Sequence, residues 1–308
     1  MPDAALPDAP DPRRTLARPD LADAALKGRV EATAWVEPEP AEIRVGLAPL
    51  RGRPDAPGLA AQLRLGDRVR VAERRGGMAW VQRLRDSYVG WTPEAALTAP
   101  GPAPTHRVAA PLAHLYPGPD IKTDPADVAP MGALLAGEEA EGFLRTSRGF
   151  APLSGLLRLD GGAPSPAAPP ARPTPAEAAQ ALLGAPYLWG GESALGVDCS
   201  GLVQLAFEAA GIAAPRDSDM QAAELGAALE NPWAGGDAAA PVPELIAGDL
   251  VFWRGHVGMM ADPRTLVHAN GFHMRVAAEP LAQAVARIAA STGGAGRGAG
   301  LPTALRRV

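Results

Sequence analysis

Hydrophobic and polar residues alternate in short runs over residues 29–98 of the chain. Arg68-Val-Arg-Val-Ala-Glu73 and Met78-Ala-Trp-Val-Gln82 follow this pattern, and Arg75-Gly-Gly77 separates them with residues that favour a turn. Alternation with a period of two, bounded by turns, is typical of strands that bury one face. The pattern therefore predicts a small all-β barrel over residues 29–98.

Residues 105–160 repeat this pattern in a weaker form. Gly149-Phe-Ala-Pro152 matches Gly90-Trp-Thr-Pro93, and Leu135-Ala-Gly-Glu138 matches Leu65-Gly-Asp67. Shared turn and core positions in the same order indicate an internal duplication. We therefore expect a second small all-β barrel in this region.

Helical patterns first appear in the last of the three predicted domains. Thr174-Pro-Ala-Glu177 is a capping box with proline at the first helical position, and the apolar run 202–210 predicts a second, buried helix. Asp249-Leu-Val-Phe-Trp253 and His256-Val-Gly-Met-Met260 are predicted strands. This mixture of helices and strands predicts an α+β domain over residues 174–290.

Proline-rich and glycine-rich segments divide the chain. The prolines of residues 98–104 and 161–173 donate no hydrogen bond and stiffen the backbone, so both segments are predicted linkers. Residues 1–28 are rich in Pro, Asp and Ala and are expected to form an N-terminal arm that wraps or frays, with no assigned fold. Residues 291–308 begin with a glycine-rich stretch and are expected to form a mobile C-terminal tail.

Composition and charge exclude several classes of function. The 308 residues are 47% hydrophobic and 20% charged, which is enough apolar material for packed cores. The net charge is −5 and no run of Lys and Arg forms a basic patch, so no nucleic-acid partner is expected. No segment approaches the roughly 18 apolar residues of a membrane span, and the N-terminus lacks the pattern of a signal peptide. We therefore expect a cytoplasmic protein with no membrane partner.

Cys199 is the only cysteine of the chain and stands in Asp198-Cys199-Ser200-Gly201, at the start of a predicted helix. A thiol at a helix N-terminus faces unpaired backbone N–H groups and the positive end of the helix dipole, which favours the thiolate. This position predicts a nucleophile. The alternative is a small buried hydrophobic residue, which is how most free cysteines behave.

Two histidines supply the groups that a cysteine nucleophile needs. If Ala261-Asp-Pro263 is a three-residue hairpin loop, His256 and His268 lie directly opposite each other on two antiparallel strands. Directly opposed residues have Cβ atoms about 4.5–5.5 Å apart, so one imidazole can hold the other. A base for the thiol and a polar residue that orients the base are then both present. Zinc is the alternative use of Cys199 and these histidines, although the chain has no closely spaced ligand pair.

Six motifs follow one another over residues 174–290. They are Tyr187-Leu-Trp-Gly-Gly191, Asp198-Cys-Ser-Gly201, Pro215-Arg-Asp-Ser-Asp-Met-Gln221, Gly248-Asp-Leu-Val-Phe-Trp253, Gly255-His-Val-Gly258 and Val267-His-Ala269. In this order and spacing they resemble the NlpC-type cysteine peptidases, a papain-like family. With two SH3-like domains before it, the first ending in Tyr88-Val-Gly-Trp91, the chain is similar to the gamma-D-glutamyl-L-diamino acid dipeptidyl peptidases. The resemblance implies a multidomain protein in which two SH3-like barrels precede an α+β papain-like peptidase domain.

The resemblance also implies roles for the residues that carry chemistry. Cys199 matches the nucleophile, and His256 matches the general base and acid. His268 matches the polar residue that orients His256, and Tyr187 matches a tyrosine that lines the site.

Further residues match positions that line the subsite for the dipeptide L-Ala-gamma-D-Glu. They are Asp198, Ser200 and Ser218. Roles without substrate remain open for all three, because Asp198 and Ser200 can cap the cysteine helix and Ser218 can form a capping box with Gln221.

The resemblance assigns two more side chains to the first SH3-like domain, where the family presents a tyrosine and an acid to the free N-terminal amine. Tyr88 is our candidate for the tyrosine and Asp67 for the acid. The position of Asp67 in the repeat is equally consistent with a turn residue.

The resemblance implies a hydrolase that requires no cofactor and no metal, with a murein peptide such as L-Ala-gamma-D-Glu-diaminopimelate as its partner. A first SH3-like domain that closes the groove beyond L-Ala restricts cleavage to peptides with a free N-terminal amine, as in peptidoglycan recycling. The alternatives are an endopeptidase that acts on intact wall peptides and a wall-peptide binding protein without activity. The sequence leaves open the choice between diaminopimelate and lysine and the oligomeric state.

Overall fold

The computed structural model describes residues 10–159, 172–291 and 300–308. The start of the predicted arm, most of the predicted linker 161–173 and the glycine-rich part of the predicted tail lie outside these ranges. The chain divides into two compact units, Met1–Ala103 and Pro104–Val308. The second predicted barrel and the α+β domain therefore belong to one unit.

The described residues of the first unit form nine strands. They are β1 Ala22–Asp23, β2 Trp35–Val36, β3 Glu39–Ile43, β4 Leu47–Leu50, β5 Ala61–Arg64, β6 Arg68–Arg75, β7 Met78–Arg83, β8 Val89–Pro93 and β9 Leu97–Thr98. One sheet has the order β8-β7-β6-β3-β9, and β4 pairs with β5. Buried positions alternate with more exposed ones along β4 and the first half of β6, so the period of two in the sequence packs one face on a core.

Gly90 in β8 allows this strand to approach the end of β4. Trp91 and Arg51 exchange two backbone hydrogen bonds, each with an N···O distance of 2.8 Å. A Cβ atom at Gly90 would lie 2.8 Å from the carbonyl oxygen of Arg51, so the contact requires glycine.

Residues 10–28 of the N-terminal arm have local structure, to which the sequence assigned no fold. This segment contains β1 and a short 3-10 helix, and Leu16 is only 1% exposed in a cluster with Trp80 and Trp91. The guanidinium of Arg18 lies over the Trp80 ring, 4.1 Å from its centroid. Single anchoring side chains hold the arm on β7 and β8, and such contacts leave no periodic pattern in the sequence.

Residues 106–158 form eight further strands. They are β10 His106–Val108, β11 Leu112–Leu115, β12 Asp127–Pro130, β13 Leu134–Leu135, β14 Gly137–Ala140, β15 Phe143–Thr146, β16 Gly149–Pro152 and β17 Leu156–Arg158. β11 pairs with β12, β14 to β16 form an antiparallel meander, and β17 pairs with β10 as β9 pairs with β3. A 3-10 helix follows β8 at Glu94–Ala96 and β16 at Leu153–Gly155. This matching order of elements supports the predicted duplication.

One turn of the two repeats aligns differently from the sequence expectation. Leu65-Gly-Asp67 corresponds to Met131-Gly-Ala133 rather than to Leu135-Ala-Gly-Glu138. Gly66 donates its backbone N–H to the carbonyl of Ile43 in β3, and Gly132 donates to the carbonyl of Val108 in β10, at 2.9 and 2.8 Å. Backbone hydrogen bonds define this turn, so side-chain similarity alone does not identify it.

The remaining described residues form an α+β domain. Its helices are α1 Pro175–Gln180, α2 Cys199–Ala209, α3 Ser218–Glu224 and α4 Leu281–Ala290, and its strands are β18 Glu192–Ser193, β19 Gly196–Val197, β20 Ala227–Ala228, β21 Leu250–Trp253, β22 His256–Met260, β23 Thr265–Asn270, β24 Arg275–Pro280 and β25 Ala304–Arg307. Six strands form one sheet in the order β20-β25-β21-β22-β23-β24, and α2 packs on β22 and β23. Nearly every residue of α2 is buried, which explains its continuous apolar sequence. The predicted α+β class is confirmed, and no helix in the described ranges is long and apolar enough to cross a bilayer.

The predicted mobile tail requires a correction for residues 300–308. Strand β25 pairs with β21, with Leu305 opposite Val251, and Leu305 is 1% exposed. Arg307 forms an ion pair with Asp249 at 2.6 Å. The partner of this strand lies far away in the sequence, so a local pattern does not reveal it.

Leu16→Ala should destabilise the first unit by about 2–5 kcal/mol, the range observed when a buried leucine side chain is deleted. Truncation of Leu16 leaves a cavity beside Trp80 and Trp91, so chemical denaturation followed by tryptophan fluorescence measures the change. Leu84→Ala is the control, because Leu84 is 54% exposed. A Leu16→Ala variant as stable as this control would contradict the packing of the arm.

Candidate active site

The cysteine helix begins at a cap supplied by Asp198. One carboxylate oxygen accepts a hydrogen bond from the backbone N–H of Gly201 at 2.7 Å, and the other accepts from the backbone N–H of Gly190 at 2.8 Å. Cys199 is therefore the first residue of α2, and it is 8% exposed. The side chain that caps the helix also fixes the glycine loop that precedes it.

A network of buried charges lies beneath this helix start. Arg216 donates to both carboxylate oxygens of Asp198, at 3.0 and 2.7 Å, and to Ser200 Oγ at 2.8 Å. Arg216 Nε lies 3.1 Å from Glu192 Oε1. One guanidinium thus balances two buried carboxylates, as charges without access to water require. Sequence reasoning missed Arg216 as a functional residue, although it lies within a matched motif.

Two of the predicted substrate-binding residues already form hydrogen bonds with other groups of the protein. Asp198 and Ser200 are 7% and 6% exposed, and Ser200 Oγ lies 3.3 Å from Asp198 Oδ1 in addition to its contact with Arg216. These contacts support the alternative in which both residues stabilise the start of α2. A contact of either residue with substrate stays a prediction.

The two histidines are in contact, but in a different register from the one expected. Met260 pairs with Leu266, so His256 and His268 are offset by two residues and are not directly opposed. The loop comprises residues 262–264, because Asp262 Oδ1 accepts from the backbone N–H groups that close it, at 2.8 and 2.9 Å. An offset of two keeps both side chains on one face of the sheet, and His256 Nε2 lies 2.9 Å from His268 Nδ1.

A backbone contact brings Cys199 to the strand of the first histidine. The backbone N–H of Val257 donates to the Cys199 thiol, and Val257 directly follows His256. Cys199 and Val257 belong to the same apolar core. The structure therefore places Cys199 against the strand that carries His256, whose ring contacts His268.

Burial keeps both reacting groups neutral. Burial, reinforced by the charge of Asp198, raises the pKa of the Cys199 thiol to about 12. Burial, together with His268 and Arg287, lowers the pKa of His256 to about 3. Loss of hydration therefore opposes the thiolate that the position at the helix N-terminus favours. Both shifts favour a neutral thiol and a neutral imidazole.

A pocket with an aromatic rim opens beside the histidines. Tyr187, Trp189 and Phe272 line it together with His256 and His268. Trp189 and Phe272 are each 67% exposed, so the rim is open to solvent. Sequence reasoning included Tyr187 and missed the other two aromatic residues. Trp189 lies in a matched motif, whereas Phe272 lies in a turn that no motif marks.

A carboxylate that sequence reasoning also missed lies behind the second histidine. Glu279 Oε1 lies 2.8 Å from His268 Nε2, and Arg287 of α4 donates to the same oxygen. Burial opposes ionisation of Glu279, but the hydrogen bonds from His268 and Arg287 outweigh it and lower the pKa of Glu279 to about 2. The pairing of β23 with β24 brings these residues together, so no local signal marks Glu279.

The possible metal-binding group in the structure shares only His268 with the zinc alternative. Within the described ranges the side chains whose ligand atoms lie close enough to hold a metal are His268, His273 and Glu279, a group without Cys199. Arg287 already supplies the positive charge that Glu279 requires. We therefore assign no metal to this group.

Ser218 begins helix α3 and is half-buried. The predicted capping box with Gln221 is wrong, because Asp217 occupies the cap position of this helix. Gln221 instead donates to the backbone carbonyls of Ser200 and Pro215, at 3.0 and 2.8 Å. Gln221 thus ties α3 to the start of the cysteine helix, and contact of Ser218 with substrate stays a prediction.

The two candidates in the first unit are buried. Tyr88 is 6% exposed and belongs to the barrel core. Asp67 is 3% exposed and accepts a hydrogen bond from the backbone N–H of Arg64 at 2.9 Å, as a turn residue does. These positions favour structural roles for both residues, and their contact with substrate stays a prediction.

A buried helix that begins with cysteine and packs on a strand carrying a paired histidine is typical of papain-like cysteine peptidases. Residues 184–288 match the model of the NlpC/P60 family, and residues 50–97 match the model of the bacterial dipeptidyl-peptidase Sh3 domain. The chain therefore contains a cysteine peptidase domain of the NlpC/P60 family, preceded by a bacterial dipeptidyl-peptidase SH3 domain.

Two relatives match much of the chain. Gamma-D-glutamyl-L-lysine dipeptidyl-peptidase of Bacillus cereus is 28% identical over 258 residues, which cover 72% of this chain and 71% of that protein. A probable endopeptidase of Mycobacterium tuberculosis is 32% identical over 209 residues, which cover 64% of this chain. The chain matches only 45% of the length of that mycobacterial protein.

A solved structure shares the fold. The crystal structure of an NlpC/P60 family protein from Bacillus cereus superimposes with a TM-score of 0.66. The match covers 87% of this chain and 99% of that chain, at 22% sequence identity. The fold is therefore common to both proteins.

Arg216→Met should destabilise the second unit by about 3–5 kcal/mol, because it leaves two buried carboxylates without their counter-charge. The shift of the denaturation midpoint measures this loss. Arg264→Met is the matched control, since Arg264 is exposed. Equal midpoints for the two variants would contradict the proposed importance of the buried network.

The rate of iodoacetamide alkylation at Cys199 should rise steadily from about pH 7 to about pH 10. A thiol whose pKa is raised stays protonated at neutral pH, and its reactive thiolate fraction grows as pH increases. Mass spectrometry of the modified chain measures the rate without ambiguity, because Cys199 is the only cysteine. A plateau across neutral pH would instead indicate a preformed thiolate–imidazolium pair.

Proposed function

We propose that the chain hydrolyses the bond between gamma-D-glutamate and a diamino acid in murein peptides with a free N-terminal L-Ala, releasing L-Ala-D-Glu. The observation that supports this most directly is the contact of Cys199 with the strand of His256, whose ring is held by His268. These groups supply a nucleophile, a base and an orienting residue. The name of the Bacillus cereus relative, a gamma-D-glutamyl-L-lysine dipeptidyl-peptidase, supports the choice of bond.

In the proposed reaction, Cys199 Sγ attacks the gamma-carbonyl of D-glutamate while His256 accepts the thiol proton. The backbone N–H of Cys199 and the hydroxyl of Tyr187 stabilise the oxyanion. Burial, together with the charge of Asp198, raises the pKa of Tyr187, so its hydroxyl stays protonated and able to donate. His256 then gives the proton to the departing amine, and water hydrolyses the thioester to release the dipeptide.

The neutral resting pair fits this sequence of steps. Transfer of the proton from Cys199 to His256 creates two charges in a site with little water, which is unfavourable before substrate binds. The oxyanion donors provide partners for the negative charge only when the carbonyl is attacked. Proton transfer is therefore coupled to attack rather than completed before it.

The pocket with the aromatic rim is the proposed site of the leaving diamino acid. The departing amine takes its proton from His256, so this product must lie on the side of that ring. Trp189 and Phe272 provide apolar walls for its carbon chain, and the exposed rim leaves room for its polar end.

We propose that the substrates are peptides already released from the wall. L-Ala is amide-linked to the glycan in intact wall, so a free N-terminal amine marks a released fragment. Peptidoglycan recycling in the cytoplasm is therefore the proposed setting, and fractionation of cells followed by immunoblotting tests it. Detection of the protein only in fractions outside the cytoplasm would contradict this part of the proposal.

Mass spectrometry of cleavage products tests the proposed activity. The purified chain is incubated with L-Ala-gamma-D-Glu-diaminopimelate, with the corresponding lysine peptide, and with both peptides acetylated at the N-terminus. We expect L-Ala-D-Glu from the free peptides only. Cys199→Ala should abolish cleavage, because no other thiol is present, and retained turnover in this variant would remove Cys199 from the mechanism.

An endopeptidase that acts on intact wall peptides is the second candidate. The name of the Mycobacterium tuberculosis relative, a probable endopeptidase, favours it. Cleavage of acetylated and free peptides alike, together with loss of turbidity from purified sacculi, would support this candidate. Cleavage of no peptide would instead favour a binding protein.

A further inference from the structure

The contacts of the two histidines extend to a carboxylate that the family resemblance does not assign. His256 Nε2 lies 2.9 Å from His268 Nδ1, and His268 Nε2 lies 2.8 Å from Glu279 Oε1. His268 is fully buried, so both of its ring nitrogens find their partners inside the protein. We call the three residues His256, His268 and Glu279 the relay.

The carboxylate of Glu279 determines which ring nitrogens of His268 and His256 carry protons. An ionised carboxylate only accepts hydrogen bonds, so His268 Nε2 must carry the proton that Glu279 accepts. A neutral His268 then has its lone pair on Nδ1, and His256 Nε2 must donate to it. The lone pair of a neutral His256 is consequently on Nδ1, the nitrogen free to accept a proton from Cys199.

We propose that Glu279 is a positioning residue for catalysis, which fixes the tautomers of both histidines so that His256 presents an unprotonated Nδ1 to the thiol. This proposal rests on the peptidase activity proposed above. Glu279 does not touch the reacting atoms, and it acts through His268. The opposite tautomer would put a proton on His256 Nδ1 and leave the thiol without an acceptor.

Arg287 keeps Glu279 ionised although it is partly buried. The guanidinium of Arg287 pairs with the same oxygen that His268 contacts and lies over the Phe272 ring, 4.4 Å from its centroid. Arg287 belongs to the last turn of α4, whereas Glu279 belongs to β24. The packing of this helix on the sheet therefore sets the charge at the end of the relay.

The proton inventory balances through the reaction. The thiol proton of Cys199 moves to His256 Nδ1 as the carbon–sulfur bond forms, and His256 becomes an imidazolium with both nitrogens protonated. Its Nε2–H continues to donate to His268, which continues to donate to Glu279. The proton on Nδ1 then moves to the leaving amine, so no proton reaches Glu279.

Other titratable or charged groups also face the relay from the elements around it. They are Tyr187 of the loop before β18, His273 of the turn before β24 and Arg287 of α4, and Cys199 of α2 contacts the backbone of Val257 next to His256. Arg287 lowers the pKa of His256, whereas Glu279 raises it. Removal of these two charges should therefore move the pH dependence in opposite directions.

Nitrogen-15 NMR of the full chain with labelled histidine tests the tautomers directly and requires no substrate. We expect a protonated Nε2 and an unprotonated Nδ1 on both His256 and His268. Glu279→Gln should broaden or change this pattern, because an amide can also donate and permits the opposite tautomer. Protonation of Nδ1 on either histidine in the unmodified protein would overturn the proposal.

Kinetics provide the second test. Glu279→Gln should lower kcat by about 10- to 100-fold with little change in KM, and Glu279→Asp should restore part of the loss. Arg275→Gln is the matched control, since Arg275 is an exposed residue of the same strand. A Glu279→Gln variant with the kcat of this control, or equal losses in the Gln and Asp variants, would overturn the proposal.

The direction of the pH shift separates positioning from a loss of structure. The acidic limb of kcat/KM should move to lower pH in Glu279→Gln, because His256 becomes less basic, and to higher pH in Arg287→Gln. Shifts of both variants in the same direction would contradict the proposal. The NMR result stands whether or not the chain cleaves murein peptides, so a failure of the proposed function is distinguishable from a failure of the relay.

Discussion

The buried contact between Asp198 and Arg216 is the interaction on which the candidate site depends. Through Asp198 it holds both the start of the cysteine helix and the loop at Gly190, and through Arg216 it holds Glu192 of β18. The position of a nucleophile at a helix start depends on the residues that cap the helix. Because these buried charges balance one another, the segments that supply them must be assembled together. The position of Cys199 therefore depends on the complete tertiary fold of the domain.

Burial also determines the chemical state of the site. The same exclusion of water that packs α2 on the sheet raises the pKa of Cys199 and lowers that of His256. Burial thus favours the neutral forms of the thiol and the imidazole, whereas the partly buried carboxylate of Glu279 is paired with Arg287. In such an environment the positions of protons are decided by hydrogen-bond partners rather than by the pH of the solvent. The order of donors and acceptors along the histidines is accordingly a property of the fold.

The accuracy of the sequence predictions followed the range of the interactions behind them. The capping box of α1, with Thr174 and Glu177, is present as predicted, because it is contained within one turn of chain. The contact of the two histidines was predicted from a hairpin in the wrong register. The contact is nevertheless present, because an offset of two residues keeps both side chains on the same face of the sheet. The fold of residues 10–28, strand β25 and the role of Arg216 were missed. Each of these depends on partners distant in sequence, such as Trp80 for Leu16 and Val251 for Leu305.

The sequence by itself determined the all-β and α+β regions, and it predicted the duplication and the contact between His256 and His268, because periodicity, turn residues and motif spacing are local properties. The tertiary structure alone decided which polar groups are buried together. Asp198 and Ser200 belong to a network under the helix, and Tyr88 and Asp67 are buried in the first unit. The histidine contacts extend to Glu279. The physical reason is that the energy of a charge or hydrogen bond depends on its surroundings in space, which the order of residues does not specify.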